Sequence, residues 1–472
     1  MRELAAVFGA GLLVAGCAVG PDYRPPELQV PAAWPESAVL ESPSEQSIGD
    51  WWRRFEDPVL DALVERALAD NLDLRIQVAR IGEARARLGL ARAEQWPTVG
   101  IQAEATRRRT PAAAFGVEGF ETPPLNLFGI AGVLGYEIDL WGRIARQREA
   151  AMAQLEGSLY ATAAVRLGLI TDVAVGYFGL RSAQRQMDIA ERTLAARQEG
   201  VRVERLRYDA GMIDELSLRQ AEVELAATRA ELPVRIDELQ RRETALGLLL
   251  GLDPAELVES LQVADGGLGD ITLPDSVPAE LPSALLSRRP DLRAAEAEVI
   301  AATAAIGVAQ AARLPQLNLA ASFGTAASTT GNLFTSDAEA WNIGGTLTGP
   351  LYDFGRGRAR VDTAEALREQ SELRYRATVA RAFAEVRDAL TFFASTGIRL
   401  DAVQEQVTAL RRTEELAEIR YREGYISIIE LLDAQRALLG AELALAQATS
   451  DRFAAAATLF KTLGGGWEGG TW

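Results

Sequence analysis

The sequence predicts a mixed, mainly α fold in which four β-strands sit between very long helices, and three observations predict it. The first is a duplication. Arg207-Tyr208-Asp209-Ala210-Gly211 returns as Arg420-Tyr421-Arg422-Glu423-Gly424, and Gly142-Arg143 returns as Gly355-Arg356, at an offset of about 213 residues. Asp73-Leu74-Arg75 and Pro97 return as Asp291-Leu292-Arg293 and Pro315 at an offset of about 218. The second is the absence of proline from Gly142 to Tyr208 and from Gly355 to Tyr421. About 65 helical residues at ~1.5 Å each span roughly 100 Å, far beyond the usual globular helix. The third is a change to a two-residue rhythm after Pro97 and again after Pro315.

The elements follow in order. Met1-Arg2-Glu3, an apolar run from Leu4 to Ala15, and Gly16-Cys17 have the shape of a secretory signal ending at the only cysteine of the 472-residue chain. Residues 1–16 are therefore read as leader and Cys17 as the acylated residue of a lipoprotein, its covalent lipid the only prosthetic group expected. Residues 17–57 form an acylated arm, its prolines from Pro21 to Pro35 barring helix. A helix starts near Pro58 and runs to Gln95, where Pro97 ends it.

Val99, Ile101, Ala103 and Ala105 then alternate with Gly100, Gln102 and Glu104, and Leu317, Leu319, Ala321 and Phe323 alternate with Asn318, Ala320 and Ser322. A second strand of the later half sets Trp341, Ile343, Gly345 and Leu347 against Asn342, Gly344, Thr346 and Thr348; its counterpart, Leu125 to Ile138, alternates poorly. The stretches Arg107 to Pro124 and Thr325 to Ala340 read as loops. Gly142 and Gly355 let the chain swing from strand into long helix, and Arg143 and Arg356 are placed in solvated first turns. Alanines such as Ala190, Ala195, Ala382 and Ala389 permit close helix approach. Gly211 and Gly424 end the long helices in the left-handed conformation, and shorter helices follow from about Asp214 to Leu250, with Pro233 breaking into it, and from Ser427 to Leu463. The domain order is thus a first repeat over 58–250, a linker over 251–280, a second repeat over 281–463 and a tail over 464–472.

Composition removes several classes of function. The chain has no histidine, which removes the commonest general base and metal ligand, and its one thiol is expected to be acylated, which removes soft-metal and nucleophilic-cysteine chemistry. A net charge of −17 argues against a nucleic-acid partner. No stretch after residue 16 reads as a transmembrane helix, so an integral membrane role requires a barrel. Strands of about ten residues suffice for one when tilted. On pattern alone a soluble four-stranded sheet fits equally well. Four strands cannot close a barrel, so in a membrane the missing strands come from other copies: two copies give eight strands, three give twelve and room for a pore.

The ordered set Leu13-Val14-Ala15-Gly16-Cys17-Ala18-Val19-Gly20-Pro21-Asp22-Tyr23, Trp51-Trp52 with Phe55-Glu56-Asp57-Pro58, Arg289-Pro290-Asp291-Leu292, Tyr352-Asp353-Phe354-Gly355-Arg356 and Glu430-Leu431-Leu432-Asp433-Ala434-Gln435-Arg436 resembles the outer-membrane factors of bacterial efflux and type I secretion, TolC-like and closest to the OprM/NodT-like lipoprotein branch. The resemblance covers essentially the whole chain. It implies a homotrimer with a twelve-stranded transmembrane β-barrel, four strands per chain, continuous with a long-helix α-barrel crossing the periplasm. A small equatorial α/β region draws on Ser37 to Trp51, Gly251 to Glu280 and the tail from Gly464. It further implies an outer-membrane, lipid-anchored location and no enzymatic activity. The implied partners are a periplasmic adaptor protein meeting the turns at Gly211 and Gly424, an inner-membrane resistance-nodulation-division type pump and outer-membrane lipid. Type I protein secretion and a non-channel periplasmic coiled-coil lipoprotein stay open.

By the same resemblance Glu430 and Asp433 line the periplasmic constriction, where threefold symmetry would make rings of carboxylates that favour cations. The residues also allow another role, since Ser427-Ile428-Ile429-Glu430 is a capping box. Tyr421 matches a tyrosine that holds the tunnel closed in some members, but Ile426 stands where its partner arginine is expected; Tyr208 and Tyr421 read equally as helix anchors. Trp341 and Phe323 are either an aromatic girdle or sheet core. Gln220 aligns with Asp433, so the halves diverge at the turns.

Overall fold

The computed structural model describes residues 18–31, 34, 40–41, 49–109, 123–259, 263, 267–274, 277–278, 282–465 and 467. The expected leader over 1–16, the expected acylation site Cys17, residues 110–122 of the loop expected over Arg107 to Pro124, and the end of the tail lie outside the described residues.

Each half delivers the predicted succession. Helices α1 (Pro58–Asp70) and α2 (Leu72–Ala93) lead into strands β1 (Thr98–Arg108) and β2 (Leu125–Ile138), helix α3 (Arg143–Asp209) and helix α4 (Glu215–Leu249). After the short α5 (Pro254–Val258) and α6 (Leu285–Arg288), helix α7 (Pro290–Ala311) leads into β3 (Gln316–Ala327), β4 (Glu339–Thr348), α8 (Arg356–Arg422) and α9 (Ile428–Thr462). α3 and α8 are both 67 residues long. Gly142 and Gly355 start them with φ of +75° and +87°, a conformation closed to most side chains.

Two expectations about helices need correction. The single helix from Pro58 to Gln95 is broken at Asn71, whose backbone is extended at φ −58°, ψ 125°. The Asn71 side chain accepts from the Leu74 N–H at 3.0 Å and donates to the Leu249 carbonyl at 3.0 Å, so it starts α2 and ties it to the end of α4. Asn71→Ala is expected to lower the thermal midpoint, by the equivalent of about 1–2 kcal/mol; an unchanged midpoint by circular dichroism would reject that role. Pro233, in turn, does not break α4. It and Arg229 are exposed, so the carbonyl left without its N–H partner meets water.

The described chain divides into two compact units, and each takes segments from both halves of the duplication. One comprises the arm up to Glu27, Ile81–Ser158 and Ala295–Tyr375. It holds the four-stranded sheet, in the order β1-β2-β3-β4 with every neighbour antiparallel. The arm is fixed on this unit: the Val19 N–H donates to the Trp141 carbonyl at 3.0 Å, Asp22 pairs with buried Arg146 at 2.7 Å, and the Tyr23 hydroxyl meets Glu296 at 2.9 Å. A Cβ on Gly307 would stand 2.8 Å from the Val19 carbonyl oxygen, so the arm's approach depends on that glycine. Arg143 lies not in open solvent, as expected, but in a two-pronged bond to Glu137 at 2.9 and 2.8 Å.

The other unit comprises Leu28–Arg80, Leu159–Ala294 and the chain from Arg376 onward. Its core gathers Trp51, Trp52 and Phe55 from a tight turn with Phe178 of α3 and Phe453 and Phe460 of α9. Asp57 begins α1 by accepting from the Val59 N–H at 2.8 Å, and its second oxygen receives the Tyr177 hydroxyl at 2.6 Å. Burial, then the bond to Asp57, pushes the Tyr177 phenol up to about 12. Asp57→Ala removes a cap and leaves the buried Tyr177 O–H, which still accepts from Arg181 Nε at 3.0 Å, without its acceptor, with an expected loss of about 2–4 kcal/mol in chemical denaturation. A loss matching an exposed-cap deletion alone would refute the Tyr177 link. This core also corrects the reading that no helix suits a membrane. An 18-residue window of α3 is long and apolar enough to cross one, and it is 61% buried. Its apolar side chains, among them Ile170, Val173 and Phe178, are core.

A two-residue parallel bridge joins Leu40–Glu41 to Val277–Pro278, beside α9. The segments that the sequence assigned to an equatorial region thus supply the small second sheet of this unit.

Candidate functional site

Two features of the chain call for completion by something outside it. One is the sheet. In the observed register Val99, Ile101 and Ala103 of β1, Phe128, Ile130 and Leu134 of β2, Leu317, Leu319 and Phe323 of β3, and Trp341, Ile343 and Leu347 of β4 fall on one face. The other face carries Gln102, Glu104, Asn318, Ser322, Thr346 and Thr348 together with glycine and alanine. β1 and β4 are exposed along their whole length, including Trp341 and Ile343. Soluble sheets bury an apolar face of this kind; a face that stays uncovered beside a small, polar one suits hydrocarbon on one side and water on the other. The sheet-core alternative for Trp341 and Phe323 fails, because both are exposed. β2 alternates poorly because Leu125, Leu127 and Val133 fall on the small, polar face.

The second feature is the pair of turns at the ends of α3 and α8. Gly211 and Gly424 have φ of +71° and +78°. The Met212 N–H reaches back to the Arg207 carbonyl and the Tyr425 N–H to the Arg420 carbonyl, each at 2.8 Å, which closes both helices in the same way. Beyond the adjacent residues of the chain, no atom of the described residues lies within 4 Å of a Cβ built on either glycine, so backbone conformation is what selects them. Asp214 accepts from the Ser217 N–H at 2.9 Å to start α4. Ser427 and Glu430 form the capping box that starts α9, the Ser427 N–H donating to Glu430 at 3.2 Å.

Glu430 is therefore engaged in a helix start, though exposed. Asp433 is exposed and paired with Arg436 at 2.7 Å, and Arg436 also reaches Glu224 at 3.3 Å. Arg197, buried nearby, donates to Gln435. Burial lowers the Arg197 pKa, with Glu224 opposing. Tyr421 is bonded across to α3. Its hydroxyl donates to Glu204 at 2.7 Å, and the Arg207 guanidinium lies 5.3 Å from its ring centre while also pairing with Glu204 at 3.3 Å. Burial, then the bond to Glu204, pushes the Tyr421 phenol up to about 12. Where Ile426 replaces the arginine of a Tyr–Arg pair, a Tyr421–Glu204–Arg207 tie joins α8 to α3. Sequence reasoning named Tyr421 and missed both partners. The signal was the repeat itself, since Glu204 aligns with Ala417 and only one tyrosine of the pair has an acid to bond. A cavity of about 300 Å³ opens beside Glu204, lined by Ile189, Val201, Leu431, Leu439 and Arg197.

Four amphipathic strands with open edges, joined to helices of 67 residues, define a subunit of a membrane channel rather than a self-contained globule. The family model of the outer membrane efflux protein matches residues 63–252 and 281–465. The solvent efflux pump outer membrane protein SrpC of Pseudomonas putida is 33% identical over 463 residues, covering 97% of this chain and 97% of that protein. The cation efflux system protein CusC of Escherichia coli is 30% identical over 463 residues, covering 98% of each. The solved outer-membrane channel OprN superposes with a TM-score of 0.87 at 32% identity, over 96% of this chain and 100% of that one. The chain belongs to the outer membrane efflux protein family. It is an outer-membrane channel subunit of an efflux system, combining strands for a β-barrel with long helices for an α-barrel.

Proposed function

We propose that three copies of the chain close a twelve-stranded barrel and a helical tunnel that passively conducts small molecules delivered by an inner-membrane pump of the resistance-nodulation-division type, through a periplasmic adaptor. The observation that carries this reading is the sheet, which among the described residues has two uncovered faces of opposite character and two unpaired edges, an arrangement lipid does not tolerate in a single copy. Small solutes rather than proteins are favoured because full-length relatives are named for solvent and cation efflux. The adaptor would meet the turns at Gly211 and Gly424, where Met212, Leu216, Tyr425 and Ile429 leave apolar surface exposed. Acylation of Cys17 would hold the arm to the membrane. No catalytic step is assigned to the chain.

Protein purified in detergent is expected to give discrete conductance steps in a planar bilayer, and the Cys17→Ser protein to keep needing detergent. A Cys17→Ser protein soluble as a monomer would end the channel reading. The constriction is assigned to Tyr421, Glu430 and Asp433. Glu430→Gln with Asp433→Asn is expected to weaken block of the conductance by multivalent cations about tenfold. Equal block in variant and parent would take these carboxylates out of the lumen.

A further inference from the structure

The duplication specifies how one copy pairs with the next. Moving the β1–β2 pairs from Thr98–Gly135 to Arg107–Asn126 by the two repeat offsets lands each on an observed β3–β4 pair: Ala103–Ile130 becomes Ala321–Ile343, and Ala105–Phe128 becomes Phe323–Trp341. The two hairpins therefore share one register. Their entries match as well. The N–H groups of Glu94, Gln95 and Trp96 bond to Leu90, Arg92 and Ala93, and those of Ala312, Arg313 and Leu314 bond to Val308, Gln310 and Ala311, each 218 residues on. Between the hairpins lies a third junction, β2 against β3, with Gly132 opposite Phe323 and Val133 opposite Ser322.

Applying the same offsets to that junction carries β2 onto β4 and β3 back onto β1, which no pairing within one chain can satisfy. We propose that β4 of one copy pairs antiparallel with β1 of the next in the register of the internal β2–β3 junction, placing Gly345 opposite Ala105 and Thr346 opposite Glu104 of the neighbour. This rests on the homotrimer reading and deepens it by fixing the residues of the seam.

Two features agree with the assignment. The register keeps the faces consistent: Leu347 falls opposite Ala103 on the apolar face, and Thr348 opposite Gln102 on the polar one, whereas a slip by one residue would invert both. The exposure pattern agrees too. At the internal junction Ile138, Trp141 and Leu314 are partly covered, and the Trp141 indole N–H donates to the Pro315 carbonyl at 2.7 Å. Their equivalents at the open edges are Leu351, Phe354 and Trp96, which are 105%, 88% and 72% exposed. A second copy seated in the internal register covers all three and sets Phe354 against Pro97 of its neighbour. Phe354 holds a φ of +56°, a strained conformation for a phenylalanine, and its ring stands edge-on to Tyr352 at 4.6 Å between centres. Pro350, standing where Glu137 stands, has no N–H and ends the seam's ladder short of the internal one.

The test is disulfide trapping in the full-length protein in membranes, with each single substitution as the control for Cys17. After mild oxidation Gly345→Cys with Ala105→Cys is expected to give covalent trimers, and Thr346→Cys with Glu104→Cys serves as a second, polar-face pair. Opposed Cβ atoms lie about 5 Å apart and diagonal ones about 7–8 Å, so yields should be about tenfold above those of Gly345→Cys with Ala103→Cys or with Arg107→Cys. Trimers that cross-link best through a displaced pair, or through none of the four, would overturn the register while leaving the trimer standing. A monomer mass by light scattering in detergent would instead remove the homotrimer reading, and this inference with it.

Discussion

Trp51→Ala is expected to cost about 3–5 kcal/mol, among the largest losses available to a single substitution in this chain. Trp51 is fully buried, stacked on Phe460 at 5.4 Å and 12°, and set edge-on to Trp52 and Phe55 at 6.3 and 6.2 Å. Phe55 continues the contact to Phe178 at 5.1 Å, and Phe178 to Phe453 at 5.0 Å. One side chain therefore helps join the turn before α1, the middle of α3 and the end of α9, and its removal opens a void that three separate elements cannot collapse together to fill. The Trp51 indole N–H finds no acceptor among the described residues, so packing rather than a lost hydrogen bond sets the cost. Trp51→Phe, which keeps a ring against Phe460, is expected to lose about 1–2 kcal/mol. The measurement is chemical denaturation in detergent followed by the helical circular dichroism signal. Equal losses for the two variants would show that the indole's volume is not what the core uses.

Most of the fold could be read from residues whose effect is local. Glycine marks the ends of the long helices to within about two residues, because a positive φ acts on the backbone where it stands. Alternation located β1, β3 and β4 for a similar reason, since each presents one uniform face. β2 resisted because leucine and valine also occupy its polar face. The Asn71 break was hidden by apolar periodicity that continues from α1 into α2; only the asparagine, a good cap residue before Leu72 and Asp73, betrays it. Pro233 misled in the opposite sense, because an exposed helix face can return the orphaned carbonyl to water. At the turns, Gly211, Gly424 and the capping box of Glu430 were legible, being local. Glu204 was not: it meets Tyr421 from 217 residues away, and no periodicity links them. What the sequence did offer was the alignment of Glu204 with Ala417, a difference between two otherwise parallel turns.

That difference leads to the second large effect, on gating. Tyr421→Phe removes one hydroxyl from the tie between α8 and α3, and a hydrogen bond to a charged acceptor is worth about 1.5–3 kcal/mol. If the tie holds the turns in their closed arrangement, each copy's equilibrium shifts toward open by about ten- to a hundredfold. The open probability of the reconstituted channel should rise accordingly, and Glu204→Gln should follow in the same direction with a smaller rise. Tyr208→Phe is the control, because Ala417 stands at the position equivalent to Glu204 and offers its hydroxyl no acceptor, so no change is expected. The tie should be insensitive to pH over the physiological range. A phenol raised to about 12 stays protonated below the ordinary tyrosine value near 10, so its stabilisation is fully present there and is lost only as pH climbs through about 12. Conductance recorded between pH 6 and 8 should therefore differ between parent and Tyr421→Phe by a constant ratio. A ratio that converges on one across that window, or a Tyr208→Phe channel as open as Tyr421→Phe, would place the gate elsewhere than at Tyr421, Glu204 and Arg207.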